Sequence, residues 1–252
     1  MVEKQFTGHL KGRIALVTGG CGGIGQAICS RFHNDGAHVI AADIASLLAS
    51  LKGLVRYFKH DVTSEQSAQD LMTFVGQEFS QLDVLMNAAG IEIETTIEET
   101  TLDDWQRIFA INVTGTFLTS KYGVPLMRKN GAGSYDGFIA DPGLAAYCAT
   151  NGAVHALTKA MACDYGKEHI RVNAICPGYV ATPMLESFFG ESGDLESLKQ
   201  EVCDIHPLRR YGTPDDMANL VNWLAGDEAR YASGALWVLD GGLSAQVQQM
   251  RL

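Results

Sequence analysis

Short apolar runs alternate along this chain with segments whose apolar residues recur at helical spacing, and this alternation limits the fold more tightly than any other feature. The runs at 13–17 (RIALV), 38–42 (HVIAA), 54–59 (LVRYFK), 82–86 (LDVLM), 170–175 (IRVNAI) and 235–239 (ALWVL) are short and largely apolar. Strands that are apolar on both sides are buried on both faces, the condition of a parallel sheet covered by helices. The intervening segments carry helix starts. Thr63, with Gln66 three residues on, precedes Ala68, Leu71, Met72, Val75 and Phe79 on one face. Thr213, with Pro214 at the first helical position and Asp216 behind it, opens another. No linker, repeat or low-complexity block breaks the alternation. The expectation is an α/β fold: one domain over residues 1–252, a doubly wound parallel sheet of about seven strands with helices on both faces.

Composition excludes several alternatives. Hydrophobic residues make up 46% of 252, enough for a substantial core, and the formal charge is −10 with no basic run. That argues against nucleic acid or an anionic membrane as a partner. The polar start, MVEKQFTGHLKG, and the lack of a long apolar stretch give no sign of a signal peptide or membrane span. The six cysteines form no CxxC, and the seven histidines show no ligand spacing with cysteines or carboxylates. The reading is a cytoplasmic protein without a metal.

The first strand runs into TGGCGGIGQAI, residues 18–28, with Gly19, Gly23 and Gly25 spaced T-G-x-x-x-G-x-G at a helix start. Glycines there permit a tight turn and let backbone N–H groups approach a pyrophosphate at the positive end of the helix. A plain tight strand-to-helix turn would use them too. The second strand ends in Asp43, 18 residues past Gly25. A carboxylate in that place can accept from both ribose hydroxyls of an adenosine and would repel a 2′-phosphate. It could also be a turn residue. No Lys or Arg lies in the glycine turn, so the pair of signals favours NAD over NADP. HDVT (60–63) and NAAG (87–90) lie at the carboxyl ends of the third and fourth strands, where an open α/β sheet binds its ligand.

These motifs, with Asn112 in INVTG, Tyr147 in AAYCAT, PGYVATPM (177–184) and a late DGG (240–242), occur in one order over essentially the whole chain. In that order the chain resembles the short-chain dehydrogenases/reductases. The resemblance implies a Rossmann-type fold and a hydride transfer between NAD(P) and a secondary alcohol or ketone. It implies Tyr147 as the acid/base, Asn112 in a supporting water relay and a Ser holding the substrate oxygen. A Lys four residues after the Tyr lowers the phenol pKa in that family. Cofactor contacts implied for this chain are Gly19, Cys21, Gly23, Ile24, Gly25, Asp43, Ile44, Asp61, Val62, Asn87, Ala88, Gly90, Tyr147, Pro177, Gly178, Val180 and Thr182. A homotetramer built through the two long helices and the last strand is implied as well.

Two departures stand out. The position of the family's Lys is Asn151. A phenol titrates at about 10, and a cation about 4 Å away contributes roughly 4 kcal/mol, or about three pKa units, at an effective dielectric near 20. Asparagine supplies none of that field. Lys159, about 18 Å along the helix, is no substitute. The expectation is weak dehydrogenase activity that rises steeply with pH; the alternative is a non-catalytic NAD(H)-binding protein that retains the fold. Second, Asn112 and Tyr147 are 35 residues apart, roughly six fewer than the family pattern, and the only apolar run between Asn130 and Pro142, where the fifth strand is required, is Phe138-Ile139-Ala140. Ser134 stands 13 residues before Tyr147, the spacing of the catalytic Ser, yet counted forwards it is the Ser that opens the strand. An empty interior strand would leave its neighbours' backbone groups unpaired, so residues within 131–140 are expected to be drawn in, with the helix end near Met127 unwinding.

Residues 183–210 are expected to form a lid over a small, neutral alcohol or ketone. Six acids between 183 and 206 face one Lys199, while Leu195, Leu198, Val202 and Ile205 follow helical spacing. An ordinary amphipathic surface helix reads the same way. His206, Arg209 and Arg210 could reach substrate, but fit better as supports of the loop or of an interface.

Overall fold

The structure, a computed structural model, describes residues 8–128, 132–136, 143–190 and 195–246, with the backbone alone for 132–136, 187–190 and 195. Seven parallel strands form one sheet: β1 Ile14–Thr18, β2 His38–Asp43, β3 Arg56–Lys59, β4 Val84–Asn87, β5 Ala132–Asp136, β6 Val172–Pro177 and β7 Leu236–Leu239. Their order is β3-β2-β1-β4-β5-β6-β7, so the direction of winding reverses between β1 and β4, where such sheets open a crevice at the carboxyl edge. Most strands end one or two residues beyond their apolar runs. The polar ends Thr18, Asp43 and Asn87 still pair with their neighbours, and these are the ends the site uses.

The helices are α1 Gly23–Asn34, α2 Glu65–Phe79, α3 Leu102–Phe109, α4 Thr116–Met127, α5 Ala145–Tyr165, α6 Pro183–Gly190, α7 Leu195–Ile205 and α8 Pro214–Ala225. Side chains along β1 alternate between two cores, as the strand period requires. Ala15 and Val17 join Ile28 and Phe32 of α1 and Met217, Val221 and Leu224 of α8. Ile14 and Leu16 join Leu71, Met72 and Val75 of α2 and Val124 and Met127 of α4. Both faces of the sheet are thereby covered.

One helix start differs from the sequence reading. α2 is capped by Ser64, whose hydroxyl accepts from the Ser67 N–H at 3.2 Å, not by Thr63. Thr63 is engaged elsewhere: its N–H and hydroxyl both donate to Asp61 Oδ1, at 2.9 and 2.7 Å. At the start of α8 the capping box of Thr213 and Asp216 forms as expected.

The fifth strand exists without an apolar sequence. Ala132–Asp136 pairs with β4, Val84 opposite Ala132 and Met86 opposite Ser134, and with β6, Gly133 opposite Val172 and Asp136 opposite Ile175. Backbone pairing decides the matter, because β4 and β6 would otherwise bury unpaired N–H and C=O groups. The helix before it does not unwind to feed the gap. α4 keeps its form to Met127, and the Arg128 N–H still donates to the Val124 carbonyl at 3.0 Å. Residues 131 and 137–140, the rest of the expected insertion, lie outside the described residues.

Candidate active site

The chain leaves β1 at Thr18 and turns within four residues into α1. Gly19 has φ +64, and a Cβ there would lie 2.6 Å from the Ala89 nitrogen. A Cβ on Gly25 would stand 2.0 Å from the Gly19 carbonyl oxygen, so the first turn of α1 packs directly on the loop. Gly23 faces Thr182, with 2.9 Å between a would-be Cβ and the threonine methyl, which joins this turn to the PGYVAT segment. The α1 cap residue, Gly22, offers no side chain to the first N–H groups of the helix. They are free to face an anion.

Asp43 closes the outer side of this turn. Its Oδ2 accepts from the Cys21 N–H and its Oδ1 from the Ala45 N–H, both at 2.9 Å. The Tyr57 hydroxyl lies 2.8 Å from the Ala45 carbonyl and 3.2 Å from that of Asp43. Ile44 beside it is exposed. Burial, and then the Asp43 charge, push the Cys21 thiol up, which keeps it a neutral thiol. Asp61 is held below the ordinary carboxylate range by the two Thr63 hydrogen bonds. Val62 packs against Gly115, where an added Cβ would be 2.8 Å away.

Asn87, at the end of β4, is buried. Its Oδ1 accepts from the Thr119 hydroxyl and, at 3.5 Å, from that of Thr18, while its Nδ2 has no hydrogen-bond partner among the described residues. A buried donor without an acceptor costs roughly 1–3 kcal/mol. This donor at the mouth of the crevice and the side-chain-free cradle of Gly19 and Gly25 are the features a bound dinucleotide would complete. Ala88 and Gly90 continue the same strand end; the Ala88 N–H donates to the Thr18 carbonyl at 3.1 Å.

Asn112 lies in a π-helical stretch, Ala110–Gly115, between α3 and α4. Such wide turns recur at functional sites. Here the turn carries the amide to the strand end. Asn112 Oδ1 accepts from the Ile91 N–H at 2.9 Å, and Nδ2 donates to the Ile91 carbonyl at 2.9 Å and to Thr150 Oγ1 at 3.2 Å. Thr150, fully buried, donates in turn to the Tyr147 carbonyl at 2.7 Å. Tyr147 and Asn151 are both half-buried on α5, an unbroken helix of 21 residues. Asn112 therefore acts as a staple whose amide is already occupied by protein atoms. The backbone of Ser134 lies opposite Met86, one position short of Asn87, and opposite Asn173.

Pro177 ends β6, and Gly178 donates to the Leu239 carbonyl at 3.2 Å. Val180 pairs with Gly212, and Thr182 precedes α6. Within the segment read as a lid, Leu185 and Val202 form a small apolar cluster with Tyr179, Leu198 and Tyr211, whereas Ile205 is exposed. The basic residues are structural. His206 is buried, with Nδ1 on the Val202 carbonyl at 2.5 Å. Arg209 donates to the Asp204 carbonyl at 2.6 Å, and Arg210 reaches Asp216 with both terminal nitrogens, at 2.7 and 3.2 Å.

The family model described as enoyl-(acyl carrier protein) reductase matches residues 19–244, the span from the glycine turn to the segment after DGG. The chain is 34% identical to an NADP-dependent (R)-specific alcohol dehydrogenase of Lentilactobacillus kefiri, over 96% of this chain and 100% of that one. The chain belongs to the short-chain dehydrogenase/reductase family. A second member, a meso-2,3-butanediol dehydrogenase of Serratia marcescens, is 33% identical over 95% of this chain and 98% of its own. The ligand-free aldohexose dehydrogenase of Thermoplasma acidophilum superposes with a TM-score of 0.90 at 29% identity, covering 98% and 99% of the two chains. This short-chain dehydrogenase/reductase is thus an oxidoreductase, and membership implies a nicotinamide cofactor. Its sequence motifs marked Tyr147, Asn112 and Asp43 but passed over Thr150 and Thr119. A signal was present for the first: Thr150 is three residues past Tyr147, on the same helical face. Thr119 gave none, because its link to Asn87 spans 32 residues.

Proposed function

We propose that this short-chain dehydrogenase/reductase interconverts a small secondary alcohol and its ketone with NAD(H), with Tyr147 moving the substrate proton, and that Asn151 keeps its turnover low at neutral pH. The observation that carries this reading is the hydrogen-bonded line Ile91–Asn112–Thr150–Tyr147, which ties the tyrosine helix to the strand end beside the glycine turn. When bound, the nicotinamide supplies the hydride acceptor or donor. Gly19, Cys21, Gly23, Ile24 and Gly25 would hold the diphosphate. Asp43 and Ile44 would hold the adenosine ribose, and Asp61, Val62, Asn87, Ala88 and Gly90 the adenine and its flank. Pro177, Gly178, Val180 and Thr182 would take the carboxamide end.

The preference for NAD rests on Asp43. Its two oxygens face backbone N–H groups at the outer edge of the turn, and a fixed carboxylate there repels a 2′-phosphate. The Lentilactobacillus relative is NADP-dependent, so this preference is a property we assign to this chain through Asp43. Tyr147 has no cation one turn on to lower its phenol, and its efficiency as a base climbs with pH. Ser134, on a strand that reaches the level of Met86, is our candidate for the hydroxyl that holds the substrate oxygen. Six cysteines outside any disulfide and a net charge of −10 support a cytoplasmic protein. Exposed Phe117 on α4, Trp223 on α8 and Val238 on the edge strand β7 support the homotetramer.

The test is NADH binding by fluorescence beside turnover on a panel of secondary alcohols from pH 6 to 10. Binding with turnover that climbs across that range is the expected result. A profile flat with pH overturns the role given to Asn151. Binding without turnover at any pH selects a protein that holds NAD(H) and has lost the proton transfer, the reading Asn151 alone would favour.

A further inference from the structure

All the groups used so far lie at the carboxyl ends of the strands. The opposite edge of the sheet carries a second concavity, of about 730 Å3, cut where the chain enters neighbouring strands. Arg13, Asp83 and Arg171 each stand one residue before a strand begins, at β1, β4 and β6. Lys11, Asp227 and Arg230 close around them, with His169 on the rim.

The charges in this groove do not cancel. Asp83 is buried and turned inward: its Oδ2 accepts from the Ile14 N–H at 2.8 Å and from Gln81 Nε2 at 3.1 Å. Asp227 is paired with Arg13 at 2.6 Å. Arg171 gives its N–H groups to the carbonyls of Leu224, Gly226 and Ala232, at 2.6, 3.3 and 3.4 Å. Carbonyls satisfy those donors but leave the guanidinium charge in place. Lys11 and Arg230 are exposed and form no ion pair among the described residues. Among the described residues four cations, two of them held by protein atoms, thus face two carboxylates, both already engaged, in a chain whose net charge is −10. Burial first, and then the charge of Arg13, lower the Arg171 pKa, against the opposing charge of Asp227.

We propose that this groove is a second ligand site, taking a small molecule that carries two or more linked phosphates, with Arg13 and Arg171 as its charged floor and Lys11 and Arg230 as the side chains that close on it. The volume lies within the roughly 300–1,000 Å3 of small-molecule sites and far exceeds what a single phosphate fills. A free guanidinium fork at Arg230 suits paired phosphate oxygens, and Lys11 adds a movable point charge. β1 spans five residues, so about 16 Å separates this groove from the glycine turn. A ligand here and a dinucleotide there do not overlap.

The probe is inorganic tripolyphosphate, titrated by calorimetry into the protein with NADH present and again without it. Saturable binding at one site is expected with NADH present. It should weaken as salt is raised, and it should move the His169 ring resonances. Replacing Lys11→Glu and Arg230→Glu together should weaken it by roughly tenfold or more. Equal affinity in wild type and double variant, or no saturable binding, overturns the proposal. Neither side chain is bonded to described residues, so the variant should keep the wild-type melting temperature. Should it fall, Arg230→Gln alone reads the same contact. Failure of NADH to bind would touch only the coenzyme reading, because dependence on Lys11 and Arg230 is measured in its absence too.

Discussion

At the glycine turn backbone rests on backbone: a Cβ on Gly25 would stand 2.0 Å from the Gly19 oxygen, and one on Gly19 2.6 Å from the Ala89 nitrogen. At the tyrosine helix the holding is done by side chains, through the line from Asn112 to Thr150 to the Tyr147 carbonyl. Asn151 sits one turn further on, and α5 continues past it for 14 residues without a break. The two regions answer substitution differently. In the first, an added atom collides with main chain, so coenzyme site and fold are lost together. In the second, a residue can be exchanged for one of another charge while the helix stays as it is, so chemistry can change and the architecture remain.

That contrast can be broken most directly at its rigid end. Gly25→Ala should cost about 3 kcal/mol or more of stability and abolish NADH binding, read by urea unfolding and fluorescence titration; a variant that binds NADH normally would show that the turn has slack. Asn151→Lys is the opposite case. It should raise turnover at pH 7 by about 100-fold or more and move the pH profile downward by two to three units, roughly the effect of a cation about 4 Å from the phenol, with NADH affinity little changed. An unchanged rate would place the limitation in the fifth strand instead.

Asp43→Ala leaves the Cys21 and Ala45 N–H groups without their acceptor, and should weaken NADH binding by about tenfold or more while narrowing discrimination against NADPH. Thr150→Val, read in the Asn151→Lys background, should lower turnover by about tenfold without altering NADH affinity, and Thr150→Ser should restore it. A parallel loss of binding would make Thr150 a packing residue only.

The smallest effect is electrostatic. Arg210 first, together with the Thr213 hydrogen bonds, lowers the Asp216 pKa from 3.8 to about 2. A carboxylate depressed in the folded state stabilises above its unfolded pKa, and that contribution is lost as pH falls through the folded one. Both partners are substantially solvated, so the contribution is about 1 kcal/mol. Asp216→Asn should therefore lower stability by that amount at pH 7, and the difference should shrink between pH 4 and pH 2. Persistence of the full difference at pH 2 would point to the capping box and not to charge.

What the sequence disclosed follows the same division. Short apolar runs located six of the strands, because burial on two faces leaves a mark in every residue of a strand. Short motifs located the glycine turn, Asp43, Asn112 and Tyr147. The sequence shows no apolar pattern for β5, yet the need to pair the edges of β4 and β6 pointed to residues within 131–140, and Ala132–Asp136 take that place. It put the cap of α2 at Thr63 because the competing claim of Asp61 on that residue depends on the turn's shape. The staple from Asn112 to Ile91 and Thr150 was likewise invisible, since it joins residues 21 and 38 positions apart.

The wide turn at Ala110–Gly115 has a consequence for the chain's length. A π turn is a helix carrying one residue more than an α-helix between the same two ends. Deleting a single residue there would let α3 and α4 merge into one regular rod with both flanking faces still directed at their present neighbours. The fold would lose little, yet the amide of Asn112 would no longer reach Ile91. One surplus residue, which the architecture can spare, is what holds the tyrosine helix to the strand end.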